Sequence, residues 1–475
     1  MRFSTAISRF AVACLLVSAL PAFAADPPPI PYDAKKAELL RDRYRLWYRA
    51  TTIAPYMTIG KRSPKWDDLV TGALRANVER MAGPALLQAD ATVEFREKLE
   101  LAIKAGCDDP LIVYYHVRMQ RRDTNATVKK EFFDAARSLA GSKYPDIRKG
   151  QAWLNAMPVL HFAPKGQKAS DDDLKQAVEC RDELLKLLVG LTKQKDPNLR
   201  REAIELCDVV SRNGHDVGKR KEWFDRLETE VLSQLPEGDS LPDLITGLFL
   251  VNYAWDARGD GFAGTVTADG SHLFEERLED AERRLIKAWE LDKTNSQAAA
   301  RLLYVCIGLG RDRDVMEEWF RKALEANPNE TSAYIGKIDF IHPKWHGSTE
   351  ELLEFGRQMA KSPNWADKVP MYLPKVHNDL ASHTSDFIGY FRKNSEIWKE
   401  IEPVMEEMRK LYPKSRYGAS WYVYYSWLCE RNPIEALAYS QAVNHDLILE
   451  PFGTQATLNR GLAWVKKKAA LAEKK

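Results

Sequence analysis

The sequence predicts an all-α protein in which helical hairpins stack into an α-solenoid, and three observations carry that expectation. Apolar residues recur every three or four positions along most of the chain, while strand-like alternation is scarce. Two stretches, "AWELDKTNSQA" from Ala288 and "ALEANPNETSA" from Ala323, align without a gap at an offset of 35, with Ala, Glu and Ala coinciding and the polar turn in register. A period of about 34 is that of paired helices stacked side by side. Finally, Asp109-Pro110 and Asp196-Pro197 stand before "LIVYYHVRM" and "NLRREAIELCDVV", each joining an N-cap acceptor to a proline suited to a first helical turn.

Taken in order, residues 1–24 read as a secretory signal peptide. Arg2 and Arg9 precede an apolar run from Phe10 to Leu20, and Ala22-Phe23-Ala24 supplies small residues at a cleavage site before Ala25. Cys14 lies inside that run with little apolar sequence before it, so it does not read as a lipidation site. Residues 25–31, "ADPPPIP", form a proline-rich extended tether. A helical N-terminal region follows over 32–165 and a middle helical segment over 166–240. The repeat region runs from 241 to 475 with a glycine-rich insertion at 256–272. The compositions at 163–173, 236–243 and 256–272 are those of loops. No run after the signal reaches the roughly 18 apolar residues that a membrane span needs, so no span is expected once the signal is removed.

Within the repeats, Phe274, Leu278, Ala281, Leu285 and Ala288 mark one helical face. Ala298, Leu302, Val305 and Leu309 mark the next, and Met316, Trp319, Phe320 and Ala323 a third. Ordering a residue costs roughly 1 to 2 kcal/mol, whereas burying one large apolar side chain returns roughly 1.5 to 3. A helix with one such stripe cannot stand alone, so each must lean on neighbours.

Composition sets limits on partners. Hydrophobic residues make up 45% and aromatic residues 10% of 475, enough for a large core and too apolar for disorder. Lys and Arg total 70 against 68 Asp and Glu; without Arg2 and Arg9 the signs balance. A neutral chain gives no electrostatic case for nucleic acid or an anionic membrane. Beyond Cys14 there are Cys107, Cys180, Cys207, Cys306 and Cys429, an odd set without a CxxC pair. Buried free thiols are expected, the alternative being one disulfide between Cys180 and Cys207.

"FRKALEANPNETSA" resembles the second helix and turn of a tetratricopeptide repeat, with Phe320, Ala323, Leu324 and Pro328 at matching positions. Tyr304 and Met316 stand where such repeats hold small residues, so these copies are degenerate. A weaker third copy ends at "KLYPKSRYGASWYVYY". A longer stretch, roughly 240–365, is similar to a bacterial family of exported proteins, a domain of unknown function with tetratricopeptide-like (TPR-like) character. The matching pieces are "YAWDARGDGFAGTV", "LFEERLEDAERRLIKAWELD" and "HPKWHGSTEELLEFGRQMA". The resemblance implies a TPR-like solenoid and brings no activity with it.

Candidate sites follow. His342 and His346 are four apart, but His342 precedes Pro343, which pushes it out of helical backbone, and the glutamate of an H-E-x-x-H helix is missing. Ser348 to Glu351 reads as a capping box. The stretch is therefore a stiffened turn with Trp345 wedged at a repeat junction, and Trp345 and His346 are candidate ligand contacts. His377 and His383, near Asp379 and Asp386, would complete a His/Asp metal site only if the fold brought them to His342 and His346. The insertion carries Asp256, Asp260 and Asp269 among glycines without EF-hand spacing; turns around a short hairpin at Thr265 to Thr267 are expected, with Arg258 a candidate contact. In "WYVYYSWL", Trp421, Tyr424, Tyr425 and Leu428 are expected on one buried face, with Tyr422 elsewhere. No catalytic or cofactor-binding motif is present, so no cofactor is expected. The function expected is an exported scaffold, periplasmic or extracellular, that binds a protein or peptide. The rivals are a helical envelope enzyme, metal-assisted through His342, His346, His377 and His383, and a glycan-binding protein.

Overall fold

The computed structural model describes residues 30–120, 124–164, 167–212, 217–259 and 266–472, the side chains at 210–219 excepted. The signal peptide, Cys14, most of the tether, and Asp260 and Thr265 of the glycine-rich insertion lie outside the described residues. Among those described the fold is all-helical, without a strand, and successive helices pack in pairs as in an α-solenoid.

The helices are α1 (Ala34–Ile59), α2 (Asp67–Ala82), α3 (Gln88–Lys104), α4 (Pro110–Met119), α5 (Ala126–Ala140), α6 (Asp146–His161) and α7 (Asp171–Leu191). Then come α8 (Pro197–Arg212), α9 (Val217–Glu230), α10 (Ser240–Arg258), α11 (Ala268–Leu291), α12 (Ser296–Leu309), α13 (Arg313–Ala326) and α14 (Thr331–Ile341). The last are α15 (Thr349–Ala360), α16 (Tyr372–Ser382), α17 (Phe387–Lys393), α18 (Ser395–Leu411), α19 (Arg416–Cys429), α20 (Pro433–Ala442) and α21 (Gln455–Ala472). Their starts follow local chemistry. Asp109 accepts from Leu111 N and Ile112 N, and Asp196 from Leu199 N, as the two Asp-Pro steps predict. Ser348 caps α15 by accepting from Glu351 N, while the Glu351 carboxylate pairs with Arg313.

Caps also correct three loop expectations. Ser170 starts α7 inside 163–173 and Asp239 starts α10 inside 236–243. At the insertion, Asp256 and Arg258 belong to the last turn of α10, and Thr267, rather than ending a hairpin, caps α11 by accepting from Gly270 N. Asp269 then sits in the first turn of α11, where the helix dipole favours a carboxylate.

The aligned pair of turns recurs a third time. Helices α11, α13 and α18 end at Asp292, Asn327 and Tyr412, with φ of −146°, −143° and −133°. Three residues on, the N–H of Asn295, Glu330 and Ser415 donates to those carbonyls at 3.2, 3.0 and 3.0 Å. A shared turn aims each following helix back along its predecessor. Consequently α12 packs against α10, α11, α13 and α14, and Ala288, Ala298, Ala323 and Ala333 are all buried where helices approach. Gly247 and Gly308 permit still closer contact: a Cβ at Gly247 would lie 2.6 Å from Leu285 Cγ, and one at Gly308 would strike Leu278.

One continuous core runs from Tyr56 to Val376 and a second from Met371 to Val465. The second also contains Leu86, from the turn between α2 and α3. Ser415 Oγ donates to Leu86 O at 2.5 Å and Ala85 N donates to Ala366 O at 2.7 Å, so early helices are bound to late ones. Helix α1 lies across the inner turns of the array. Lys36 Nζ donates to Glu325 O at 2.5 Å, Asn329 Nδ2 to Ala37 O at 2.9 Å, and Arg41 pairs with Asp367 at 3.3 Å. Arg148 of α6 is fully buried beneath it, its guanidinium 4.1 Å from the Tyr48 ring.

Two further expectations are settled. Cys107, Cys180, Cys207, Cys306 and Cys429 are all buried and free, so Cys180 and Cys207 are not bonded. Tyr422 is not turned away from the core: every residue from Tyr417 to Cys429 is buried, because α19 is enclosed by α17, α18, α20 and α21. The Tyr422 hydroxyl is satisfied by donating to Glu406.

Gly247→Ala should lower the urea midpoint, since overpacking costs about 1 to 3 kcal/mol against about 1 gained in helix propensity. Leu86→Ala should cost about 2 to 5 kcal/mol and raise amide hydrogen exchange in both α3 and α19; loosening of α3 alone would contradict the bridging role.

Candidate functional site: an aromatic cleft beside a histidine and aspartate pair

The end of α10, the middle of α12, the end of α14 and the turn after it converge on a cleft of about 450 Å³. Helix α10 is buried along most of its length, and its last turn brings Asn252, Trp255 and Asp256 to the surface. Tyr304 and Arg301 come from α12, Asp339 from α14, and Arg220 from α9. Trp345 arrives on the turn that His342 opens: His342 has extended backbone, φ −63° and ψ 140°, as the following Pro343 requires.

The walls are aromatic and ordered by edge-to-face contact. Trp255 and Trp345 lie 5.5 Å apart at 86°, and Phe274 supports Trp255 at 5.0 Å and 72°. The Arg258 guanidinium lies 5.6 Å from the Trp255 ring and 5.3 Å from the Trp345 ring, within cation–π range. Arg220 and Asp256 form an ion pair at 2.6 Å with both side chains largely buried. The Asn252 Nδ2 group is buried without an acceptor among the described residues, a state that is uncommon in native folds unless something else supplies one. Burial raises the Asp339 carboxyl above the usual carboxylate range, against the pull of His342, and burial likewise pushes the Tyr304 hydroxyl up to about 12.

The structure thus brings Arg258 and Trp345 together and turns His346 away from them. His346 Nε2 donates to Ile307 O at 2.8 Å and its ring packs 4.8 Å from that of Phe340, so it ties the turn to α12. The four histidines separate into three places. His342 and His383 meet at the edge of the cleft with Asp379, their ligand-capable atoms within 4.8 Å of one another. His377 is buried elsewhere, with Nδ1 3.0 Å from Tyr390 Oη and Nε2 3.4 Å from Glu400.

Whether His342, Asp379 and His383 suit a metal depends on their tautomers. His383 Nδ1 donates to Asp379 O at 2.9 Å, leaving Nε2 free with the backbone support that metal-binding histidines usually have. His342 is opposed. Its Nδ1 accepts from Lys344 N at 3.1 Å, so the proton is on Nε2, which donates to Asp379 at 3.0 Å. Metal at that Nε2 would force a proton onto Nδ1 and set it against the Lys344 N–H. The cluster is a hydrogen-bonded pair plus one free imidazole nitrogen. The cysteines offer no nucleophile either: burial pushes Cys107 up to about 11 and Cys180, Cys306 and Cys429 up to about 12.

Trp255, Asn252 and Asp339 were not among the sequence candidates. Spacing held a signal for two of them, since 252, 255 and 256 share one face at the end of a helix. Tyr304 was visible as a large residue where the repeat pattern wants a small one; its ring lines the cleft instead of filling a helix interface. Two stretches of the exported-family resemblance, one holding Trp255 and Arg258 and the other Trp345, meet here.

Burial lowers His377 from its ordinary value of 6.5, outweighing the attraction of Glu400. The unfolded chain therefore holds more protons just below that value, so the stability His377 contributes is full above about 6.5 and declines as pH falls toward the depressed value. Thermal unfolding between about pH 7.5 and 5.5 should show a shallower decline for His377→Gln than for the wild type; equal slopes would remove His377 as the cause. No protein-family model matches the chain, and no curated protein is significantly similar to it.

Proposed function

We propose that this protein is an exported helical scaffold that binds a segment of a protein or peptide partner, and that the aromatic cleft is where it does so. The observation that carries this reading is the pairing of Trp255 and Trp345 beneath Arg258, beside the buried and unpartnered Asn252 amide. Flat aromatic faces, a cation, the Asp256 and Asp339 carboxylates and an unused donor form a mixed surface, which suits amphipathic chain segments. A volume of about 450 Å³ accepts a few side chains. The inner side of the array is a poorer candidate for a long peptide because α1 already lies across it. The reading of residues 1–24 as a signal peptide supports a role in the cell envelope.

A metal-assisted enzyme is the second reading, favoured by the free Nε2 of His383 beside Asp379 and opposed by the locked His342.

The test is a peptide array probed with mature protein. A subset of peptides should bind and alter tryptophan emission, with Trp345→Ala and Arg258→Ala each weakening binding about tenfold or more. Binding untouched by both substitutions would exclude the cleft, and stoichiometric zinc that disappears in His383→Ala would move the protein to the second reading.

A further inference from the structure

A larger cavity of about 720 Å³ lies on the inner side of the array, between α1 and the starts of α8, α12, α14 and α16. Its polar groups are unevenly satisfied. The acidic residues already have donors: Asp367 from Arg41, Glu330 from Ser296 and Ser332, and Asp292 from Thr294. Lys368 and Lys375 have no such complement. Neither ammonium makes a hydrogen bond or ion pair among the described residues, although both line the cavity and are partly buried. They rest on α19: Lys368 Nζ is 4.4 Å from the Tyr417 ring centre and Lys375 Nζ 5.6 Å from that of Trp421.

Behind the lysines, on α19 and not on the cavity lining, Tyr417 and Trp421 are 2% and 5% exposed, and neither Tyr417 Oη nor Trp421 Nε1 has a hydrogen-bond partner among the described residues. The indole N–H faces the phenol oxygen without reaching hydrogen-bonding geometry. Nearby acids soften this excess without cancelling it: Glu450 acts on both lysines only through space, and Asp367 is committed to Arg41. Burial lowers both lysines from their ordinary value, and for Lys368 the charge of Lys375 lowers it further. Two unpaired, partly buried cations lining one cavity are costly unless an anion joins them. Backbone strain points the same way. Lys368 holds φ +60°, a left-handed conformation uncommon for a residue with a side chain, and this turn delivers its ammonium to the cavity. The starts of α8, α12 and α14 open on the same space with their positive dipole ends.

We propose that Lys368 and Lys375, backed by Tyr417 and Trp421, form a binding site for a small polyanion carrying phosphate or carboxylate groups. The anion sits between the two ammonium groups, which no acid among the described residues pairs with directly. This site is separate from the aromatic cleft and stands whether or not a peptide binds there.

The test is calorimetric titration of the mature protein with inorganic pyrophosphate and, separately, with citrate. At least one should bind with a Kd in the micromolar range, and the preferred probe distinguishes a phosphate from a carboxylate ligand. Lys375→Met and Lys368→Asn, the latter chosen because Asn tolerates left-handed backbone, should each weaken binding about tenfold or more. Both should also raise the unfolding temperature of the ligand-free protein, because each removes an unpaired, partly buried charge. Lys104→Met on exposed α3 should change nothing. Absence of binding by both probes below about 1 mM, or binding that both lysine variants retain in full, would overturn the proposal.

Discussion

The contact between the turn at Leu86 and the start of α19 is the constraint on which the rest of the architecture depends. A stack of hairpins ordinarily ends in two unmatched faces, each an apolar surface open to water. Here the side chain of Leu86 is absorbed into the core of the last helices, and its carbonyl takes the Ser415 hydroxyl that also caps α19. One serine therefore serves both a helix end and a contact 329 positions away in sequence. With the two regions joined, helix starts from both line one cavity, and α1 lies across it.

Two kinds of surface result, and they differ in chemistry because they are built from different parts of the helices. One side gathers helix starts, where caps, hydroxyls and positive dipole ends collect; its polarity follows from how helices begin. The cleft gathers the ends of α10 and α14 against the middle of α12, where the bulky residues Trp255, Tyr304 and Trp345 have room. An aromatic side chain in a repeat position meant for a small residue is usually a packing fault. At Tyr304 it is tolerated because the ring lines the cleft beside Asp339.

Much of the fold was legible in the sequence because it is written in local rules. The Asp-Pro steps, the register of Ala288 with Ala323, and the serine before Glu351 specify starts and turns through contacts a few residues long, and each is found where the rules put it. What was not legible is set by contacts between distant segments. Nothing near Tyr422 announces that α19 is covered on every side, since its partners come from five other helices. The site was legible in part for the same reason. Trp345 and Arg258 stood out as large polar-aromatic residues in turn-rich stretches, but their meeting, the exclusion of His346, and the unpaired state of Lys368 and Lys375 follow only from the packed arrangement.

The placement of α1 bears on the order in which the molecule is assembled. It is the earliest of the described helices, yet Lys36 and Arg41 find their counterparts at Glu325, Asn329 and Asp367, about three hundred positions later. Contacts so remote in sequence are entropically slow to form. The start of α1 is therefore seated only after most of the chain has been made, and until then α2 is the neighbour that holds the helix.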